Sequence, residues 1–192
     1  MGKIVISENV SLDGVVQDPT GEEGFRQGGW FGQITASDRE EWATVALDEA
    51  LTAQALLLGR RSDEYFGTRW LSRSGELADR LNGLPKYVVS TTLDKPRWSN
   101  ATVLGGDVPG QVSKLREQLA GDIVVIGSIR LARTLIEHDL ADEFRLKIFP
   151  VVLGAGQRLF GEISDRRPVR LVHARALGDA LAYLSYERVR AA

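Results

Sequence analysis

Three short runs place a small residue beside hydroxyl or guanidinium side chains where an apolar run gives way to a helical pattern. They are Gly59-Arg60-Arg61-Ser62, Ser90-Thr91-Thr92 and Gly127-Ser128-Ile129-Arg130. A helix start carries unpaired N–H groups and a partial positive charge, so it suits an anion, phosphate above all. Arginine adds a planar fork for phosphate oxygens, and serine and threonine add hydroxyl donors. In an open parallel sheet, ligands bind at the carboxyl ends of the strands. Three such turns at the same kind of strand end therefore read as a phosphate site for a dinucleotide. Taken singly, each glycine is equally an ordinary tight turn and each arginine pair a solvated surface; the reading rests on the repetition. No Gly-x-Gly-x-x-Gly follows the first strand and no Gly-Lys-Ser or Gly-Lys-Thr follows a glycine loop, so the usual Rossmann and P-loop fingerprints are absent.

The other candidates are acids and aromatic rings. Asp13, Asp38 and Glu41 are carboxylates that could supply a proton to a reacting group. Asp13 precedes Gly14, where a turn-forming Asx is an equal reading. Trp30 lies in a glycine-rich segment, Gln17 to Gly32, with Phe25 and Phe31. Large rings in such a segment fit either a plug for a core edge or a lid closing over a ligand. Gly154 and Gly156 follow a strand-like run, and Leu159 and Phe160 would pack beneath that turn. Asp142 and Glu143 fit a turn at a helix end.

Composition narrows the classes. The 192 residues suit one domain with a substantial core, spanning 1–192. The absence of cysteine excludes disulfides and thiolate metal sites, and two histidines, His138 and His173, leave no histidine-rich metal set; no metal is expected. A net charge of −2 gives no general affinity for nucleic acid or acidic membranes. Met1 to Ile6 enters a strand-like run directly, without a signal-peptide core, and no apolar run approaches a membrane span; the expected location is the cytoplasm.

The elements that would position these residues alternate. Strands are expected at Lys3 to Ser7, Ala55 to Gly59, Lys86 to Ser90, Val103-Leu104, Ile123 to Ile126 and Phe144 to Val152, with Val15-Val16 a brief extended piece. Helices are expected from Asp38 to Gln54, capped by Ser37 or Thr35, and at Arg60 to Phe66, Gly75 to Leu81, Val108 to Ala120 and Ile129 to His138. Arg170 to Leu177 and Ala182 to Val189 close the chain as a strand pair around Gly178-Asp179. The order predicts an α/β protein: a mainly parallel sheet with helices on both faces and an antiparallel edge at the C-terminal end. That exposed sheet edge would let two copies form a homodimer.

The run from Ile123 to Phe160, IVVIGSIRLARTLIEHDLADEFRLKIFPVVLGAGQRLF, resembles the C-terminal signature of the dihydrofolate reductase-like superfamily, nearest the branch holding the reductase domain of riboflavin biosynthesis. Ser11-Leu12-Asp13-Gly14, Leu58-Gly59-Arg60-Arg61-Ser62 and Val88-Val89-Ser90-Thr91-Thr92-Leu93 resemble that branch's other landmarks, in the same order. The resemblance implies a three-layer α/β/α sandwich of dihydrofolate reductase type with a mixed, mostly parallel sheet, and NADPH as cofactor. It implies that Arg60 and Arg61 lie near the adenosine 2′-phosphate with Ser90 and Thr91 beside them. It further implies that Gly127, Ser128, Ile129 and Arg130 form the turn against the pyrophosphate. It sets Asp13 beside the nicotinamide and Trp42 near the position of the folate reductases' pterin carboxylate. Where the family often has a Gly-Gly pair, in some members with a cis peptide, this chain has Gly127-Ser128. The implied activity is hydride transfer to a small heterocycle, a ribosylaminopyrimidine first. A folate or pterin reductase and a non-catalytic NADPH-binding or regulatory protein are the alternatives.

Overall fold

The computed structural model describes residues 1–162 and 165–189. The strands are β1 (Lys3–Ser11), β2 (Ala53–Gly59), β3 (Lys86–Val89), β4 (Ala101–Leu104), β5 (Asp122–Ile126), β6 (Glu143–Phe149), β7 (Val169–Leu177) and β8 (Leu181–Arg188). The α-helices are α1 (Ala36–Thr52), α2 (Arg60–Trp70), α3 (Glu76–Gly83), α4 (Val108–Gln118) and α5 (Ile129–Glu137). The eight strands form one mixed sheet in the order β4-β3-β2-β5-β1-β6-β8-β7. This is the expected α/β architecture, parallel through β4-β3-β2-β5 and antiparallel through β6-β8-β7.

The chain packs as two compact units, Met1–Ile6 with Ala46–Asp142, and Ser7–Val45 with Glu143 onward. In the first, β2 and β5 are apolar nearly throughout, as parallel strands buried on both faces must be. Leu56, Leu58, Val124, Leu81, Leu84 and Trp98 form its core. A buried ion pair closes it: Arg116 Nη2 lies 2.8 Å from Asp142, which also accepts the N–H of Ile4. Asp142 is thus structural, in keeping with the turn reading. In the second unit, Val15, Trp30, Val45, Phe149, Leu177 and Leu181 form the core.

Several boundaries differ from the sequence expectation. β1 runs on to Ser11, because Ser7 and Ser11 are buried polar residues inside a strand, a pattern that apolar alternation misses. β6 stops at Phe149, since Pro150 has no N–H to continue a ladder. Val15 makes only an isolated bridge, to Arg158. α1 starts at Ala36, with Thr35 ahead of it as the cap. Among the described residues no helix is long and apolar enough to cross a membrane, and no group of histidine and carboxylate residues could hold a metal ion.

Candidate functional site

The first unit brings the three predicted turns side by side. β2 and β3 run parallel with Gly59 level with Val89, and β2 and β5 run parallel with Leu57 level with Val125. The carboxyl ends therefore share one edge of the sheet in the order β3, β2, β5. Ser90-Thr91, Gly59-Arg60-Arg61 and Gly127 to Arg130 stand there as neighbours. A fourth turn, Gly105-Gly106-Asp107, follows β4 beside them; Ser90 N–H donates to the carbonyl of Leu104 at 3.0 Å. Its glycine pair, just ahead of the helix expected from Val108, was the available signal in the sequence, and the sequence reading passed over it.

Hydroxyl groups hold two of these turns together. Gly59 N–H donates to Ser128 Oγ at 3.0 Å. Ser128 Oγ lies 2.8 Å from Ser62 Oγ, which donates to the carbonyl of Gly127 at 2.8 Å. Ser128 is buried, so its hydroxyl faces inward, and what it can offer a ligand is backbone. Gly127 has φ +57°, and a Cβ there would come within 2.9 Å of the Phe66 ring. The Gly127-Ser128 peptide is trans, as are all peptides among the described residues. Ser90 Oγ accepts from the N–H groups of Thr92 and Leu93, shaping its own turn.

The edge suits phosphate. α2 and α5 both start without a side-chain cap, leaving their first N–H groups for another acceptor. Arg60, Arg61 and Arg130 are exposed there. Arg60 makes a 3.7 Å pair with Glu64, both half-exposed, which costs little to break. Gly59, Arg60, Arg61, Ser90, Thr91, Gly127, Ser128, Ile129 and Arg130 thus lie at one sheet edge, where the helix-start N–H groups and the guanidinium groups are donors of the kind that could hold phosphate.

The second unit holds the candidate acids, and two of them are engaged by backbone. Asp13 accepts from Leu153 N–H at 3.0 Å, Ser11 Oγ at 2.8 Å and Gly154 N–H at 2.8 Å. These bonds, that to Leu153 first, lower its pKa to about 2. Asp38 and Thr35 form a reciprocal capping pair at the start of α1. The other Asp38 oxygen accepts from Asp179 and Ala180 N–H in the β7–β8 turn. Burial pushes the Asp38 pKa up, but the N–H groups of Ala180, Thr35 and Asp179 outweigh it and leave the group below its usual value. Glu41 makes a 3.6 Å, half-exposed pair with Arg175.

Trp30 corrects the lid reading: it is 1% exposed, stacks edge-on against Phe149, and donates its indole N–H to the carbonyl of Gln17. It is a core plug. Trp42 packs against Phe31 and donates to Asn9 Oδ1 at 2.8 Å. A residue the sequence reading missed organises the glycine-rich segment: the buried carboxylate of Asp18 accepts the N–H groups of Glu22, Glu23 and Phe25. Gln17 Oε1 accepts the N–H of Gln157, and just ahead of the segment the carbonyl of Gly14 accepts that of Leu159.

Comparison with known proteins agrees with this fold. The chain is similar to the uncharacterized protein YyaP of Bacillus subtilis, at 26% identity over 96% of this chain and 94% of that one. A crystal structure of a putative riboflavin biosynthesis protein from Shewanella sp. PV-4 superposes with a TM-score of 0.77 at 20% identity, covering 98% of this chain and 99% of that one. Dihydrofolate reductase from Enterococcus faecalis, complexed with NADP(H), superposes with a TM-score of 0.59 at 14% identity, covering 97% and 96%. The RibD C-terminal domain profile matches residues 2–183, and the chain belongs to that family of the dihydrofolate reductase-like fold.

Proposed function

We propose that this protein is an NADPH-dependent reductase of a small heterocycle, with a ribosylaminopyrimidine of the 5-amino-6-(5-phosphoribosylamino)uracil type as the substrate class. Family membership supports reductase chemistry. The observation that carries the cofactor assignment is the row of three turns at the carboxyl ends of parallel β3, β2 and β5, with two uncapped helix starts and exposed arginines among them. NADPH, when bound, supplies a hydride to an electrophilic C=N or C=O carbon.

The chain's own part is binding and orientation. The N–H groups at the starts of α2 and α5 hold the diphosphate, and Arg60 and Arg61 hold the 2′-phosphate and so select NADPH over NADH. Asp13 and Asp38 are held as anions by N–H donors, so neither donates the proton; water supplies it.

Titration of cofactor fluorescence tests this. Wild-type protein binds NADPH more tightly than NADH, and the double variant Arg60→Ala, Arg61→Ala loses that preference. Failure to bind either dinucleotide overturns the assignment. The engaged state of both aspartates also favours a second reading, a non-catalytic NADPH-binding protein. Binding without NADPH oxidation across a panel of pyrimidine and pterin substrates would select it.

A further inference from the structure

A buried carboxylate seats the β3–β4 loop against the first turn of α2. Asp63 is fully buried and accepts the backbone N–H of Arg97 at 2.6 Å and that of Trp98 at 3.1 Å. Trp98 turns into the core of the first unit, where its indole N–H donates to Asn82 Oδ1 at 2.7 Å. The fit is close: a Cβ on Gly67, one turn further along α2, would come within 2.9 Å of the Trp98 nitrogen. The other end of the loop is shaped by Ser90, whose hydroxyl accepts the N–H groups of Thr92 and Leu93. The loop is held at both ends, and residue 97 has a fixed place beside α2.

The fold does not use the Arg97 side chain. It is exposed, and among the described residues it makes no hydrogen bond or ion pair. What holds residue 97 is its backbone N–H, which any residue but proline supplies. Asp94 and Lys95 of the same loop offset one another in charge, so Arg97 is the loop's net positive charge.

Helix geometry puts that charge beside Arg60. Residues three apart on a helix are neighbours, and residues two apart are not. Arg60 and Asp63 therefore share a side of α2, and Arg61 lies on another. The Arg97 N–H bonded to Asp63 is on the Arg60 side, about one ~5.4 Å turn from the helix start. Ser62 marks the opposite side, where its hydroxyl donates to the carbonyl of Gly127 after β5. The starts of α2 and α5, assigned to the diphosphate, meet on that β5 side. The loop side, with Arg60 and Arg97, is left for a third phosphate.

We propose that Arg97 is a further specificity residue of the cofactor site, holding the 2′-phosphate from the loop while Arg60 and Arg61 hold it from the helix. This rests on NADPH being the cofactor. A guanidinium gives phosphate two parallel N–H donors, and NADH has no group at that position to receive them.

Fluorescence titration of the full chain with NADPH and with NADH tests this. Arg97→Ala keeps the N–H that Asp63 holds, so its thermal unfolding matches wild type. Its NADPH affinity falls about ten-fold or more, the worth of a charge-assisted hydrogen bond, while its NADH affinity does not change. Arg97→Lys keeps the charge without the planar fork and recovers part of the loss. Arg73→Ala removes an equal charge just beyond the far end of α2 and leaves both affinities at the wild-type value. A wild-type preference for NADPH that survives in Arg97→Ala overturns the inference and leaves the cofactor assignment standing. An equal loss for NADPH and NADH overturns it, as does an Arg73→Ala loss as large as that of Arg97→Ala. A wild-type chain that binds neither dinucleotide overturns the inference and the cofactor assignment together.

Discussion

The Asp13 carboxylate accepts the backbone N–H of Gly154, 141 residues on, at 2.8 Å, and that of Leu153, 140 residues on, at 3.0 Å. A turn at the end of β1 and the turn after β6 are thereby fixed to one another. Arg158 reinforces the pair through its Nε, which donates to the carbonyl of Asp13.

Asp13→Asn therefore destabilises the protein at neutral pH, because an amide sets an N–H donor against the N–H of either Leu153 or Gly154. The pH dependence gives the sign. A carboxyl with a folded pKa of about 2 against an ordinary 3.8 contributes stability that is complete above 3.8 and lost as the pH falls toward 2. Urea unfolding from neutral pH down through that window should show the wild-type advantage over Asp13→Asn shrinking with acid. An advantage that stays constant would mean the ionised form is not what holds the turns.

Ser128 and Gly127 make a sharper test of the proposed cofactor edge. Ser128→Ala removes the acceptor of Gly59 N–H and the partner of Ser62 Oγ in a buried spot. Leaving such groups unpaired costs about 1–3 kcal/mol. Gly127→Ala meets both a left-handed backbone and the Phe66 ring. Its backbone strain alone is worth about 1–3 kcal/mol. Both losses are read from urea midpoints. NADPH affinity should fall in both variants, since the two turns lose their common geometry. Ser128→Ala with unaltered stability and affinity would show that the hydroxyl network is incidental.

The three turns were legible in the sequence because each follows a compact apolar run, and such runs in alternation with helices leave few topologies. The roles of single polar residues were not. Asp13, Asp38 and Asp18 each engage N–H groups far along the chain or around a local loop, and residue type alone does not tell an acid for catalysis from an acid for backbone. Asp38 sits three residues after Thr35, which is capping-box spacing, and that signal was readable. Its further hold on the β7–β8 turn was not, because it spans 141 residues. Trp30 could have been lid or plug; only its packing on Phe149 decides for the plug. The inward turn of the Ser128 hydroxyl depends on Ser62, on another helix, and no local pattern encodes that.

Lys86 gives a prediction at the alkaline side. Its ammonium is buried, donates to the carbonyls of Asn82 and Leu84, and lies 4.6 Å from the centre of the Trp98 ring. Burial lowers its pKa from 10.5 to about 8, with Asp63 opposing the shift; Asp63 itself accepts the N–H groups of Arg97 and Trp98. The folded protein thus releases this proton near pH 8, while the unfolded chain keeps it to 10.5. Between those values the unfolded state binds more protons, so stability rises with pH. Lys86→Met should remove that rise. It also leaves the two carbonyls without their donor, so the variant is less stable than wild type throughout the window, and increasingly so toward its upper end. Urea midpoints for both proteins across the interval measure the difference. A gap that does not widen with pH would mean that Lys86 keeps its proton in the fold, with Asp63 and the carbonyls prevailing over burial.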